Sequence, residues 1–146
     1  MVNSNLKEQV KSIQDQTYQD WQLLIRDDGS TDGTVKIIQE LVAQDERIRF
    51  INQGAIENLG VIKSFHALLK YEKADLYCFS DQDDVWLPEK IALQVAEAAK
   101  HPQEMPLLVY TDLKVVDENL NVQHESMIRT QSDHANTELI QELTEN

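Results

Sequence analysis

Residues 76–88 read Leu76-Tyr77-Cys78-Phe79-Ser80-Asp81-Gln82-Asp83-Asp84-Val85-Trp86-Leu87-Pro88. The first four residues are an apolar run of strand length, which predicts a buried strand. Three carboxylates then fall within four residues, and Pro88 is placed to open a helix as its first residue. Carboxylates gathered at a strand terminus repel one another unless a cation offsets them. The Asp81-x-Asp83 pair offers hard oxygen ligands that suit Mg²⁺ or Mn²⁺, with water and phosphate oxygens filling the other positions. The plainer alternative is a solvated acidic loop capping the helix that follows, a task for which one carboxylate suffices.

Working outward, apolar residues at helical spacing (Leu6, Val10, Ile13) predict a helix over 4–16. Trp21 to Arg26 reads as a strand, and Val35, Ile38, Leu41 and Val42 mark the next helix. Ile48 to Asn52 is a second strand. Asn58-Leu59-Gly60 turns into a helix carrying Ile62, Phe65, Leu68 and Leu69. After the helix marked by Ile91, Val95 and Ala98, Leu107 to Thr111 reads as a fourth strand, and residues 115–120 suggest a hairpin. Strands alternating with helices predict an α/β fold with a mostly parallel sheet and helices on both faces. Ligands bind beyond the carboxyl ends of such strands, where both Asp27-Asp28 and Asp81-Asp83-Asp84 fall. The chain reads as cut at both ends. It begins with a helix rather than a central strand, and it ends inside a helical pattern over 137–143. The stretch from 124 onward reads as loose or partly helical.

Composition narrows the function. One domain fits 146 residues. A net charge of −13 argues against a nucleic-acid binder, which needs a basic face, and disfavours adsorption to anionic lipid. No apolar run approaches the roughly 20 residues that span a bilayer, and no signal-peptide pattern opens the sequence. Cys78 stands alone and reads as core; without a disulfide framework, a cytoplasmic setting fits. His66, His101, His124 and His134 lack metal-ligand spacing.

The loop Asp27-Asp28-Gly29-Ser30-Thr31-Asp32-Gly33 admits three readings. It approximates a calcium loop, with Asp28, Ser30, Asp32 and Gly33 in place but Gln39 where a bidentate Glu is needed. It is also an ordinary turn with an N-cap. Thirdly, Asp27 or Asp28 supplies an acceptor-only group for a nucleobase N–H or a sugar hydroxyl. Asn58, Gly60 and Lys63 lie where a helix N-terminus and a first-turn lysine can meet a diphosphate, although an exposed lysine is equally ordinary. Trp86 suits sugar stacking or a core position.

Four ordered stretches resemble family 2 glycosyltransferases of the GT-A fold. They are Gln16-Thr17-Tyr18-Gln19-Asp20-Trp21, Leu24-Ile25-Arg26-Asp27-Asp28-Gly29-Ser30-Thr31-Asp32-Gly33-Thr34, Asn58-Leu59-Gly60, and Phe79 through Lys90. The last looks most like bacterial rhamnosyltransferase-type members that build cell-surface polysaccharide. The resemblance implies a GT-A (Rossmann-like) sheet lacking its first strand, and so the nucleotide-sugar-binding half of the domain. It implies inverting transfer from a nucleotide-diphosphate sugar, dTDP- or UDP-linked and dTDP-rhamnose among them, to a saccharide acceptor, lipid-linked ones included. In the full-length protein this would occur at the inner face of the cell membrane. By resemblance, Asp27 and Asp28 would hold the nucleoside, Asp81 would lie near the ribose or donor sugar, and Asp83 would bind the metal. The general base would lie beyond Asn146; Asp112 and Asp117 are the later carboxylates, neither in the expected context. A missing central strand would expose a sheet edge and favour self-association.

Two other classes compete. A receiver domain also places acidic residues and a lysine in this order (Asp27-Asp28, Asp81, Lys114) but needs one acceptor Asp rather than three. A non-catalytic nucleotide-sugar binding or assembly module would share the binding motifs without turnover.

Overall fold

A computed structural model of the chain describes residues 2–102, 104–117 and 119–130. The chain divides into two units, Met1–Pro102 and Gln103–Asn146. The first carries α1 (Val2–Gln14), β1 (Leu23–Ile25), α2 (Thr34–Gln44), β2 (Ile48–Phe50), α3 (Val61–Tyr71) and α4 (Lys90–Ala98). The second carries β3 (Val115–Val116), β4 (Val122–His124) and α5 (Met127–Thr130).

The centre of the first unit is a β1–α2–β2 crossover. The strands pair in parallel, Leu23 with Ile48, Leu24 with Arg49 and Ile25 with Phe50. A parallel pair needs a long connection, and α2 supplies it. Leu6 and Val10 of α1, Ile37 and Ile38 of α2 and Ile48 of β2 form one buried cluster, with Trp21, Leu23, Ile25 and Phe50 packed against it. Each of these fully buried aliphatic side chains stabilises the fold by about 2 kcal/mol. A second cluster joins Ile13, Trp86 and Ile91. Trp86 is thus a core anchor, with Lys90 over its ring.

Four expectations are corrected. Residues 76–79 and 107–111 carry no strand pairing among the described residues. The reason for the first lies in β1. Leu23 N–H donates to the Arg47 carbonyl and the Ile25 carbonyl accepts from Ile51 N–H, so both face β2. The alternation of a strand turns the Leu24 N–H and C=O to the opposite edge, where no strand pairs among the described residues. An apolar segment without ladder neighbours has nothing to bury against, and Leu76, Tyr77 and Phe79 are exposed. Cys78 is exposed with them rather than in the core; its thiol lies 3.9 Å from Gln94 Oε1, and partial desolvation pushes it up. Pro88 does not open α4. Its carbonyl accepts from Thr17 N–H at 2.8 Å, and the helix begins two residues later with Leu93 N–H on the Glu89 carbonyl.

In the second unit β3 and β4 form the expected hairpin, antiparallel and with an irregular register beside Val116. Leu120 sits in its turn with φ 61°. The helical pattern at 137–143 lies outside the described residues.

Candidate donor site at the end of strand β1

β1 runs into two aspartates that have different surroundings. Asp27 is buried and its backbone is fixed by Asn52, whose Oδ1 accepts from Asp27 N–H while its Nδ2 donates to the Asp27 carbonyl. Asp27 Oδ2 accepts from Gly29 N–H at 3.0 Å and Ser30 N–H at 2.9 Å. Gly29 takes φ 100°, which closes this turn and which a side chain would strain. Among the described residues, Asp27 Oδ1 accepts no hydrogen bond.

Asp28 turns the other way, into the 57–60 loop. Its Oδ1 accepts from Arg26 Nη1 at 2.5 Å, Leu59 N–H at 2.7 Å and Ser64 Oγ at 2.9 Å, and its Oδ2 accepts from Gly60 N–H at 2.8 Å. The Leu59 N–H bond is the strongest influence that brings its carboxyl down to about 2, and Arg26, Ser64 and Gly60 add to it. Asn58 Nδ2 donates to the Asp28 carbonyl. Gly60, at φ 76°, precedes α3. The structure therefore brings Asp28, Asn58 and Gly60 together. Lys63 is exposed on the first turn of α3.

These directions remove the calcium-loop reading. Asp28 is committed to residues 59, 60 and 64, and Asp32 Oδ1 to the N–H and Oγ1 of Thr34. The Thr34 bonds lower the Asp32 carboxyl.

The acidic run 81–84 is held from outside by α1. Gln9 Nε2 donates to Ser80 Oγ at 2.6 Å and to the Asp81 carbonyl. Ser12 Oγ accepts from Trp86 N–H at 3.0 Å, and Gln16 bonds the Leu87 carbonyl and Ile91 N–H. The Asp81, Asp83 and Asp84 carboxylates themselves accept no side-chain or backbone donor among the described residues. Desolvation, and then the charges of Asp83 and Asp81, push the Asp84 carboxyl up. None of the three caps α4, whose N-cap Glu89 makes no side-chain cap bond. Among the described residues no group of three acidic, histidine or cysteine side chains surrounds a common metal position, and no hydrogen bond joins this run to the β1 aspartates.

Arg26, Asn52, Ser64, Gln9, Ser12 and Gln16 were not singled out as site residues from the sequence. Arg26 had a signal: a cation ending an apolar strand directly before two aspartates needs a partner. The two later carboxylates are turn and cap acceptors. Asp112 accepts from Leu113 and Ile128 N–H, and Asp117 from Asn119 and Asn121 N–H. Hydrogen bonds lower both, those from Ser126 and Asn121 foremost, which makes them weak proton acceptors.

A parallel β–α–β unit defines an α/β protein, and its acidic side chains lie at the carboxyl edge where such folds carry their sites. Within that class, the chain belongs to glycosyl transferase family 2, whose family model matches residues 2–144. The receiver-domain order is thereby set aside.

EpsE of Bacillus subtilis, which carries a glycosyltransferase name, is 33% identical over 114 residues, 77% of this chain and 40% of that protein. The dTDP-rhamnosyl transferase RfbG of Shigella flexneri is 39% identical over 89 residues, 59% of this chain and 31% of that one. WfgD of Escherichia coli, named a UDP-Glc:alpha-D-GlcNAc-diphosphoundecaprenol beta-1,3-glucosyltransferase, is 30% identical over 92 residues, 63% and 35% of the two chains. The chain thus spans less than half the length of these relatives.

Proposed function

We propose that this chain is the donor-binding half of an inverting glycosyltransferase. It would bind a dTDP- or UDP-sugar, dTDP-rhamnose being one candidate, for transfer to a saccharide acceptor in cell-surface polysaccharide synthesis. The observation that carries this reading is the set of carboxylate oxygens that accept no donor among the described residues. Asp27 Oδ1 is a free acceptor at the end of β1, suited to a pyrimidine N–H or a ribose hydroxyl. Asp81, Asp83 and Asp84 concentrate negative charge that Lys90 offsets only in part; desolvation first, and then the charges of Asp83 and Asp81, leave the Asp84 carboxyl raised.

That donor set fits a divalent cation, Mg²⁺ or Mn²⁺. Two protein carboxylates suffice where phosphate and water complete the shell, so the lack of a three-residue cluster is no obstacle. Asp83 and Asp81 would hold the ion, which when bound supplies Lewis-acid stabilisation to the leaving nucleoside diphosphate. Lys63, exposed on the first turn of α3, would approach the diphosphate. The general base is proposed to lie outside these 146 residues, since Asp112 and Asp117 are weak bases. The reading places the reaction in the cytoplasm, at the inner face of the membrane where a lipid-linked acceptor is presented. The unpaired edge of β1 supports a sheet that lacks a neighbouring strand, and with it a tendency to self-associate.

Calorimetry with UDP and with dTDP, in Mn²⁺ or Mg²⁺ and again in EDTA, tests the proposal. Weak binding that disappears in EDTA is expected; equal binding in EDTA overturns the cation role of Asp81 and Asp83. A non-catalytic binding module makes the same prediction for binding. Acceptor-dependent release of nucleoside diphosphate separates the two, and this chain alone is expected to give little.

A further inference from the structure

We infer that Arg26 and Asp28 form a positioning pair that holds the 57–60 loop against the end of β1, and that Asp28 shapes the donor site without touching the donor. The inference rests on the donor-site reading above and deepens it.

The two consecutive aspartates are not equivalent. Asp27 keeps one carboxylate oxygen free, whereas both oxygens of Asp28 are engaged by four donors drawn from Arg26 just past β1, the loop and α3. A donor sugar or base N–H arriving at Asp28 would meet three donors already on Oδ1 and one on Oδ2, a carboxylate largely committed to the chain. Arg26 completes the arrangement. Its side chain is only 5% exposed, and it spends its donors on Asp28 Oδ1, on Ser64 Oγ at 2.8 Å and on the Glu57 carbonyl at 2.6 Å. A guanidinium buried to this degree demands a counter-charge. Asp28 is that charge, and the planar fork lets one cation reach two segments at once. With Asn58 on the Asp28 carbonyl, six contacts tie the strand end to residues 57–64. The loop that carries Gly60 and leads to Lys63 thereby takes its place relative to Asp27.

A double-substitution cycle on UDP binding in Mn²⁺ tests this, with amide hydrogen exchange at Leu59 and Gly60 as a readout independent of ligand. R26M and D28N are each expected to weaken UDP binding about ten-fold, and R26M/D28N to be no weaker than D28N alone. The double variant gains relative to D28N because it no longer leaves a buried cation unpaired. Leu59 and Gly60 amides should lose protection in both single variants, while Ile38 and Ile48 keep theirs. Should D28N fail to fold, S64A removes one bond from each member of the pair and should loosen the same two amides to a smaller degree.

Three results would overturn the inference. One is a D28N defect in UDP binding with R26M at the unaltered level, which makes Asp28 a direct contact. Another is multiplicative loss in the double variant. The third is unchanged exchange at Leu59 and Gly60. If the unaltered chain binds no UDP, the donor-site reading fails by itself, and the exchange data still decide whether the pair holds the loop.

Discussion

The carboxylates that follow β1 and those of the 81–84 run are both crowded in sequence and opposite in physical state. Asp28 and Asp32 each accept several internal hydrogen bonds, and their carboxyls are lowered for that reason. The Asp84 carboxyl is raised by desolvation and by its neighbours Asp83 and Asp81. The difference separates two uses of the same side chain. Carboxylates satisfied by the chain build the shape of a loop, whereas carboxylates that repel one another are the ones proposed to take a cation. Sequence composition alone does not make that distinction, because it depends on which N–H groups the backbone aims at each oxygen.

The most forceful way to break the contrast is to loosen the segment that directly follows the repelling run. Gln16 is about as buried as any residue in the chain, at 1% exposure. Its Nε2 donates to the Ser12 and Leu87 carbonyls, and its Oε1 accepts from Ile91 N–H. Gln16→Leu keeps the bulk and leaves three backbone partners to be resatisfied. A loss of about 3 kcal/mol is expected, read from the shift of the urea midpoint. A loss under 1 kcal/mol would mean that these bonds do not fix the 87–91 segment that follows the acidic run.

Acid sharpens the contrast because the two regions carry opposite signs. The Asp28 carboxyl sits at about 2 in the folded chain against 3.8 for the unperturbed group. Its stabilisation is therefore complete above pH 4 and is lost as pH falls from about 4 towards 2. Asp32, lowered by Thr34, acts in the same direction. Asp84 is raised, so its ionisation opposes folding at neutral pH, and protonation relieves that penalty as pH falls through its raised value. Stability measured between pH 6 and 2 should fall steeply only below 4. In the same range the Leu59 amide proton shift should move with a midpoint near 2. A midpoint near 4 would show that Asp28 is not held by the loop.

Much of this was legible. The period of Leu6, Val10 and Ile13 gave α1, and the run from Trp21 to Arg26 gave β1, since each buries one face against a partner that is present. Residues 76–79 show the limit of that logic. Apolar content reports that a segment wants neighbours, not whether the neighbours exist, and β1 turns an unpaired edge where one would be needed. Pro88 failed as a helix start for a similar reason: Thr17, distant in sequence, takes its carbonyl. The acidic residues of the site were readable from their density. Their division into occupied and free oxygens was not, because it rests on Asn52, Leu59, Gly60 and Ser64.

The smallest expected effect is the most discriminating. Asp83→Asn in EDTA should change stability by no more than about 0.5 kcal/mol, and any change should be a gain. Asp83 accepts no hydrogen bond among the described residues, so its removal breaks no structural contact. Its charge is one of the causes that raise the Asp84 carboxyl, so neutralising it lowers Asp84 towards the ordinary range and relaxes the run. With Mn²⁺ and UDP present the order should reverse. The unaltered chain would gain thermal stability on adding both, and Asp83→Asn would not, because binding only to the folded state is what raises the melt. Clear destabilisation of the metal-free variant would identify Asp83 as a structural acceptor like Asp28 or Asp32. The contrast between the two acidic regions would then disappear, and the cation site proposed for the 81–84 run would lose its physical basis.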